Sequence, residues 1–140
     1  MKLTKKEIAR RQINTALELF FEKKDILSIL TLAGAGEEII GKLLERSGKP
    51  NSIADMTDYA KESLGVNVGK KIISKIFNNP RNKLKHANNP DEDEAEIKFD
   101  DMLLMLSRAV VNYDRLDNDR SPLMVRFFKD FTVLSSDPWC

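Results

Sequence analysis

Phe99-Asp100-Asp101-Met102-Leu103-Leu104-Met105-Leu106-Ser107-Arg108-Ala109-Val110-Val111-Asn112-Tyr113-Asp114-Arg115-Leu116 decides the fold. Phe99, Met102, Leu106, Ala109, Tyr113 and Leu116 recur at alternate steps of three and four. That spacing gathers side chains on one face of an α-helix. A helix with such a stripe must bury it against another element. The chain holds no convincing alternating strand pattern, so the partners are expected to be helices as well. Upstream, the acidic run Asp91-Glu92-Asp93-Glu94 suits the positive end of a helix dipole. Downstream, Ser121-Pro122 opens a last helix with Leu123, Val125, Phe127, Phe128 and Phe131, and the tail from Ser135 to Cys140 is expected to be irregular.

The N-terminal part supplies the partners. Thr4-Lys5-Lys6-Glu7 has the form of a capping box, and Ile13, Ala16, Leu17, Phe20 and Phe21 follow at helical spacing. Asp25 can cap a longer helix in which Ile26, Ile29, Ala33, Gly36, Ile40 and Leu43 form the stripe, with Gly48 and Pro50 as stop signals. Ala33-Gly34-Ala35-Gly36 lies inside it, and a helical glycine costs about 1 kcal/mol relative to alanine. Close approach of another backbone would compensate. Ser52 opens a short helix to about Leu64, and one or two helical turns are expected over Lys70 to Phe77. The reading is all-α: one domain over residues 1–140, an antiparallel bundle of about five helices plus a short motif helix.

Composition agrees. Of 140 residues 41% are apolar and 32% charged, a globular balance. No apolar run is long enough for a membrane span and the N-terminus lacks the apolar stretch of a signal peptide, so no membrane partner is expected. The sole cysteine is Cys140, which excludes a disulfide within the chain and favours a cytoplasmic setting. Net charge is +1, yet residues 1–89 hold 17 Lys/Arg against 10 Asp/Glu, whereas residues 90–140 hold 6 against 12. Lys70, Lys71, Lys75, Arg81, Lys83 and Lys85 fall in a stretch without an acid. Such a block attracts phosphates, or packs against the acidic half.

Two familiar chemistries are rejected. Gly36-Glu37-Glu38-Ile39-Ile40-Gly41-Lys42-Leu43 nearly spells a phosphate-binding loop, but Leu43 stands where Ser or Thr must hold magnesium and no strand precedes it. One histidine and one terminal cysteine cannot build a zinc site, and Asp91 to Glu94 lacks the ligand spacing of a calcium loop, so no metal and no cofactor is expected.

What remains is Arg81-Asn82-Lys83-Leu84-Lys85-His86, between Asn78-Asn79-Pro80 and Asn88-Asn89-Pro90. Asparagine favours caps and proline a first helical position, so a short helix is expected from Pro80 to about Ala87. Histidine is the side chain whose unperturbed pKa lies near neutrality, so His86 suits proton transfer, while the fork of Arg81 matches a phosphate. Together they can cleave RNA without a metal, the histidine acting on a 2′-hydroxyl and the arginine steadying the phosphorus centre. A five-residue step turns about 500° on an ideal helix and leaves the pair about 140° apart. A two-fold axis would instead bring two pairs into one positively charged cleft and supply a second proton-transfer group. The competing reading is an ordinary histidine near a helix end and an ion-paired surface arginine.

In these residues the sequence resembles the HEPN family, whose signature is an arginine followed after four to six residues by a histidine, often with a polar residue directly after the arginine. Arg81, Asn82 and His86 fit that pattern, and the order of helices around them is similar over nearly the whole chain. The resemblance implies an α-helical bundle that dimerises with its motifs facing each other. It also implies a metal-independent endoribonuclease of toxin or defence type, in some cases paired with a nucleotidyltransferase-type antitoxin. Other members bind nucleotides or proteins without catalysis. The toxin subgroup's tyrosine two residues after the histidine is Asn88 here, so that mode of neutralisation is not carried over. On this reading His86 transfers protons, Arg81 binds phosphate, Asn82 orients one of them, and Lys75, Lys83 and Lys85 attract the RNA backbone.

Overall fold

The computed structural model describes residues 1–49, 80, 82–88 and 90–135, residues 131–135 by their backbone alone. The helix expected from Ser52 to about Leu64, the turns expected over Lys70 to Phe77, and most of the tail lie outside the described residues. So do Lys75 and Arg81. Among the described residues there are four α-helices, one 3₁₀ turn and no strand. The helices are α1 (Lys5–Phe21), α2 (Ile26–Arg46), α3 (Phe99–Asp117) and α4 (Pro122–Ser135), and the 3₁₀ turn spans Pro90–Glu92.

Each helix start follows from its sequence. The Thr4 hydroxyl accepts from the Glu7 amide at 3.1 Å while the Glu7 carboxylate accepts from the Thr4 amide at 2.7 Å. Both bonds satisfy amides that the helix leaves free, and the Thr4 amide, followed by the Thr4 hydroxyl, holds the Glu7 carboxyl below its usual pKa. Asp25 caps α2 through the amides of Leu27 and Ser28 and accepts from the Ser28 hydroxyl at 2.7 Å. That hydroxyl is the largest cause of its lowered pKa, followed by the Leu27 amide. Ser121 caps α4, its hydroxyl accepting from the Met124 amide at 3.2 Å.

α3 corrects one expectation. The run Asp91 to Glu94 does not lead the long helix: Asp91 and Glu92 belong to the 3₁₀ turn, and α3 begins at Phe99. Asp100 and Asp101 take the place at the helix dipole's positive end, and Asp101 accepts from the Lys98 amide at 2.9 Å.

The connection between α1 and α2 spans only residues 22–25, so these helices run antiparallel and pack along their length. Gly36 is the point of closest approach. A Cβ there would stand 2.7 Å from Ile13 Cγ1 and 3.2 Å from the Ala9 carbonyl. The expected close approach is thus present, and it accounts for a glycine inside a helix.

α3 breaks the antiparallel expectation. Phe99 and Met102 share a cleft with Ile26 and Ile29, Arg108 bonds Glu37, and Lys49 Nζ donates to the carbonyls of Arg115 and Leu116 at 3.3 and 3.2 Å. Residue numbers rise together on both helices, so α2 and α3 run parallel. α4 runs parallel to α1, with Ser121 against Asn14 and Phe127 against Phe20. Neighbouring helices that are parallel need the chain to return to its starting end, which it does between Arg46 and Phe99.

The core lies where these faces meet. Ile13, Leu17, Leu30, Ile40, Leu44, Leu106, Tyr113 and Met124 are fully buried. Each apolar side chain of this size contributes about 1.5–3 kcal/mol on burial. The stripes hold with small shifts: Leu44 is buried where Leu43 is only half-buried, and Met124 takes the place expected of the exposed Val125.

Candidate functional site

Two polar constellations stand apart from the general surface. The first is buried between α2 and α3. Arg108 Nη2 donates to Glu37 Oε1 at 2.8 Å, with side-chain exposures of 2% and 6%. Asn112 Nδ2 reaches the same oxygen at 3.4 Å. These exposures leave no room for a substrate, so the pair and its amide are an internal tie. In the sequence Glu37 falls within the rejected phosphate-loop pattern. Its place was legible all the same, because Glu37 falls four residues after Ala33 and three before Ile40, within the α2 stripe.

The second constellation is the segment around His86. Pro80, Asn82 and Lys83 are helical, Leu84 and Lys85 form a turn, and His86 and Ala87 lie beyond it. The Lys85 amide bonds the Asn82 carbonyl at 3.1 Å, the i→i+3 bond of a tightened last turn. The helix expected to reach about Ala87 is therefore shorter, and the 140° separation argued for an ideal helix does not apply to His86. The Asn88 amide donates to Glu92 Oε2 at 2.8 Å and folds the acidic run back onto the segment. Leu84 is half-buried against the core and shares a shallow recess with Leu27, Thr31 and Leu32 of α2. Lys85 Nζ lies 3.8 Å from Glu38 Oε2. These two contacts pin the turn to α2.

Asn82, Lys83 and His86 line one cleft of about 300 Å³. All three are exposed, so His86 is open to solvent and to a reactant. The lining also includes Asp91, Glu92, Glu94 and Glu96. Among the described lining residues, Lys83 thus shares the cleft with four carboxylates; the positively charged cleft expected from the sequence is one between two copies with Arg81, which lies outside the described residues. Pro90 begins a 3₁₀ turn rather than a long helix, and the turn swings the acids beside the histidine. Their proximity in sequence, five residues from His86 to Asp91, was the available signal.

Of the residues assigned from sequence, Asn82, Lys83 and His86 are brought together, whereas Lys85 is directed to α2. Arg81 and Lys75 lie outside the described residues. Among the described residues, no group of three or more His, Cys, Asp or Glu side chains is placed to hold a metal ion. No described helix is long and apolar enough to cross a membrane. No family model matches the sequence, and no curated protein or solved structure matches it either.

Proposed function

We propose that the chain is a HEPN-like metal-independent endoribonuclease that works as a homodimer, with a composite site of two Arg81/His86 pairs. The observation that carries this reading is the exposed His86 in one cleft with Asn82 and Lys83. The arginine five residues before it adds the charge that a phosphate needs. In the reaction His86 takes the proton of a 2′-hydroxyl, whose oxygen attacks the phosphorus. Arg81 steadies the charge on the phosphoryl oxygens. The P–O5′ bond breaks, and the leaving oxygen takes a proton from the second copy's histidine. A single chain has one histidine, which is why two copies are invoked. A toxin or defence role, with an antitoxin partner, follows from the family resemblance alone.

The test incubates the purified protein with RNA in excess chelator, for the wild type and for His86→Ala and Arg81→Ala. Cleavage by the wild type that both variants lose supports the reading. An inactive wild type, or equal cleavage by His86→Ala, overturns it.

The four carboxylates that share the cleft with His86 favour a second reading, a non-catalytic module whose cleft receives basic side chains of a protein partner. It predicts no turnover. It also predicts binding of a lysine- and arginine-rich peptide that weakens with added salt and on Glu94→Lys.

A further inference from the structure

α1 and α2 end in the same way, with one difference. At the end of α2 the Lys49 amide bonds the Leu44 carbonyl and the Gly48 amide bonds the Glu45 carbonyl, with Gly48 at φ 73°. At the end of α1 the Lys24 amide bonds the Leu19 carbonyl and the Lys23 amide bonds the Phe20 carbonyl, with Lys23 at φ 56°. Both are six-to-one, five-to-two caps whose left-handed residue is usually glycine. α2 has that glycine. α1 places a lysine there, a conformation disfavoured for a residue with a Cβ.

Lys23 stands at a mostly apolar cleft of about 740 Å³, within the range of small-molecule sites. Phe20, Phe21, Ile26, Ile29, Phe99 and Met102 form its walls. Phe99 is 54% exposed, the large open aromatic of the group. Lys23, Lys24 and Arg126 are exposed at its rim, against the single acid Asp130. The guanidinium of Arg126 lies over the Phe21 ring at 4.0 Å, which fixes one positive charge beside the apolar wall.

We propose that this cleft binds an anionic amphiphile of the fatty-carboxylate class, its tail against Phe20, Ile29, Phe99 and Met102 and its head at Lys23, Lys24 and Arg126. An apolar wall alone would suit any hydrocarbon. The three cations in its lining, against one acid, select an anionic head, and the strained Lys23 places an ammonium where glycine would place nothing. The site is separate from the His86 cleft and does not depend on the nuclease reading.

The test titrates dodecanoate, below its micelle-forming concentration, into the full chain by calorimetry, with dodecyltrimethylammonium as the charge-reversed control. Saturable binding of one dodecanoate per chain, at least tenfold tighter than the cationic control, is expected. Lys23→Gly relieves the backbone strain and raises the thermal midpoint of the ligand-free protein, yet weakens dodecanoate about tenfold through loss of one charge-assisted contact. Phe99→Glu, at an exposed position in the first turn of α3, abolishes saturable binding. No saturable binding by the wild type, equal affinity for the cationic amphiphile, or unchanged affinity in either variant overturns the proposal. Occupation of the cleft by a second copy also overturns it, and would appear as a mass that rises with protein concentration and no response to dodecanoate.

Discussion

The α2–α3 seam and the His86 cleft hold the same kinds of side chain and use them in opposite ways. In the seam, Glu37, Arg108 and Asn112 are buried, and the acid accepts from both partners. In the cleft, Asn82, Lys83 and His86 are exposed beside four carboxylates. The seam is built on two long helices whose registers fix each atom. The cleft is built on a turn and a 3₁₀ segment joined by the Asn88–Glu92 bond and held to the bundle by Leu84 and Lys85. Charge in the seam is therefore bound to stability, whereas Lys83 and His86 in the cleft are exposed to solvent. Substitutions that treat the two regions alike should separate them.

The largest effect is expected from Glu37→Ala. It leaves Arg108 buried at 2% side-chain exposure without its carboxylate, and breaking a buried pair in this way costs about 3–5 kcal/mol. Urea unfolding should show that loss in the midpoint. Changing Glu37 and Arg108 together to apolar residues of similar volume should recover most of it, because the cost lies in the stranded charge. A double variant as unstable as Glu37→Ala would show that the seam depends on the ion pair itself.

Gly36→Ala probes the same seam through packing. The added methyl would meet Ile13 Cγ1 at 2.7 Å and the Ala9 carbonyl at 3.2 Å. Alanine gains about 1 kcal/mol of helix propensity, and overpacking costs about 1–3 kcal/mol. A net loss of about 1 kcal/mol by urea unfolding is expected. Gly41→Ala serves as control: its nearest neighbour is Glu37 Oε1 at 3.9 Å, so it should stabilise.

These two regions also differ in how far they can be read from sequence. Periodicity located the long helices, and the Thr4, Asp25 and Ser121 caps marked their starts, because caps and stripes are local. The glycine inside α2 announced a close neighbour by its own cost. Direction was not local. The parallel course of α2 and α3 depends on where the chain goes between Arg46 and Phe99, and no stripe encodes that. Glu37 sat at the spacing of a stripe, yet its pairing with Arg108 joins residues 71 positions apart. The cleft was half legible: the motif named Asn82, Lys83 and His86, while its acidic wall depended on Pro90 starting a 3₁₀ turn rather than a helix.

A smaller effect is expected at the start of α2. The carboxyl of Asp25 has a folded pKa below its ordinary 3.8, chiefly through the Ser28 hydroxyl. Its unfolded value is higher than its folded one. The contribution is thus fully present above the unfolded value and fades as the pH falls through the folded one. Asp25→Ala should lower the unfolding midpoint at neutral pH, with a smaller difference from wild type below pH 3.8. A difference that stays constant across that range would assign the effect to helix geometry instead of the carboxylate.

The smallest effect on stability, and the largest on function, is expected from His86→Ala. His86 is exposed and lies beyond the tightened turn, so its removal takes away no core contact. Surface substitutions of this kind stay within about 0.5 kcal/mol. Set against Glu37→Ala, this gives the comparison its sharpest form: one variant unfolds readily, the other keeps its unfolding midpoint and loses RNA cleavage. Loss of stability comparable to Glu37→Ala would make His86 a structural residue and remove the ground for placing chemistry in the cleft. An unchanged midpoint with cleavage abolished would assign the loss to proton transfer, because the turn that presents Asn82 and Lys83 is still held by Leu84 and Lys85.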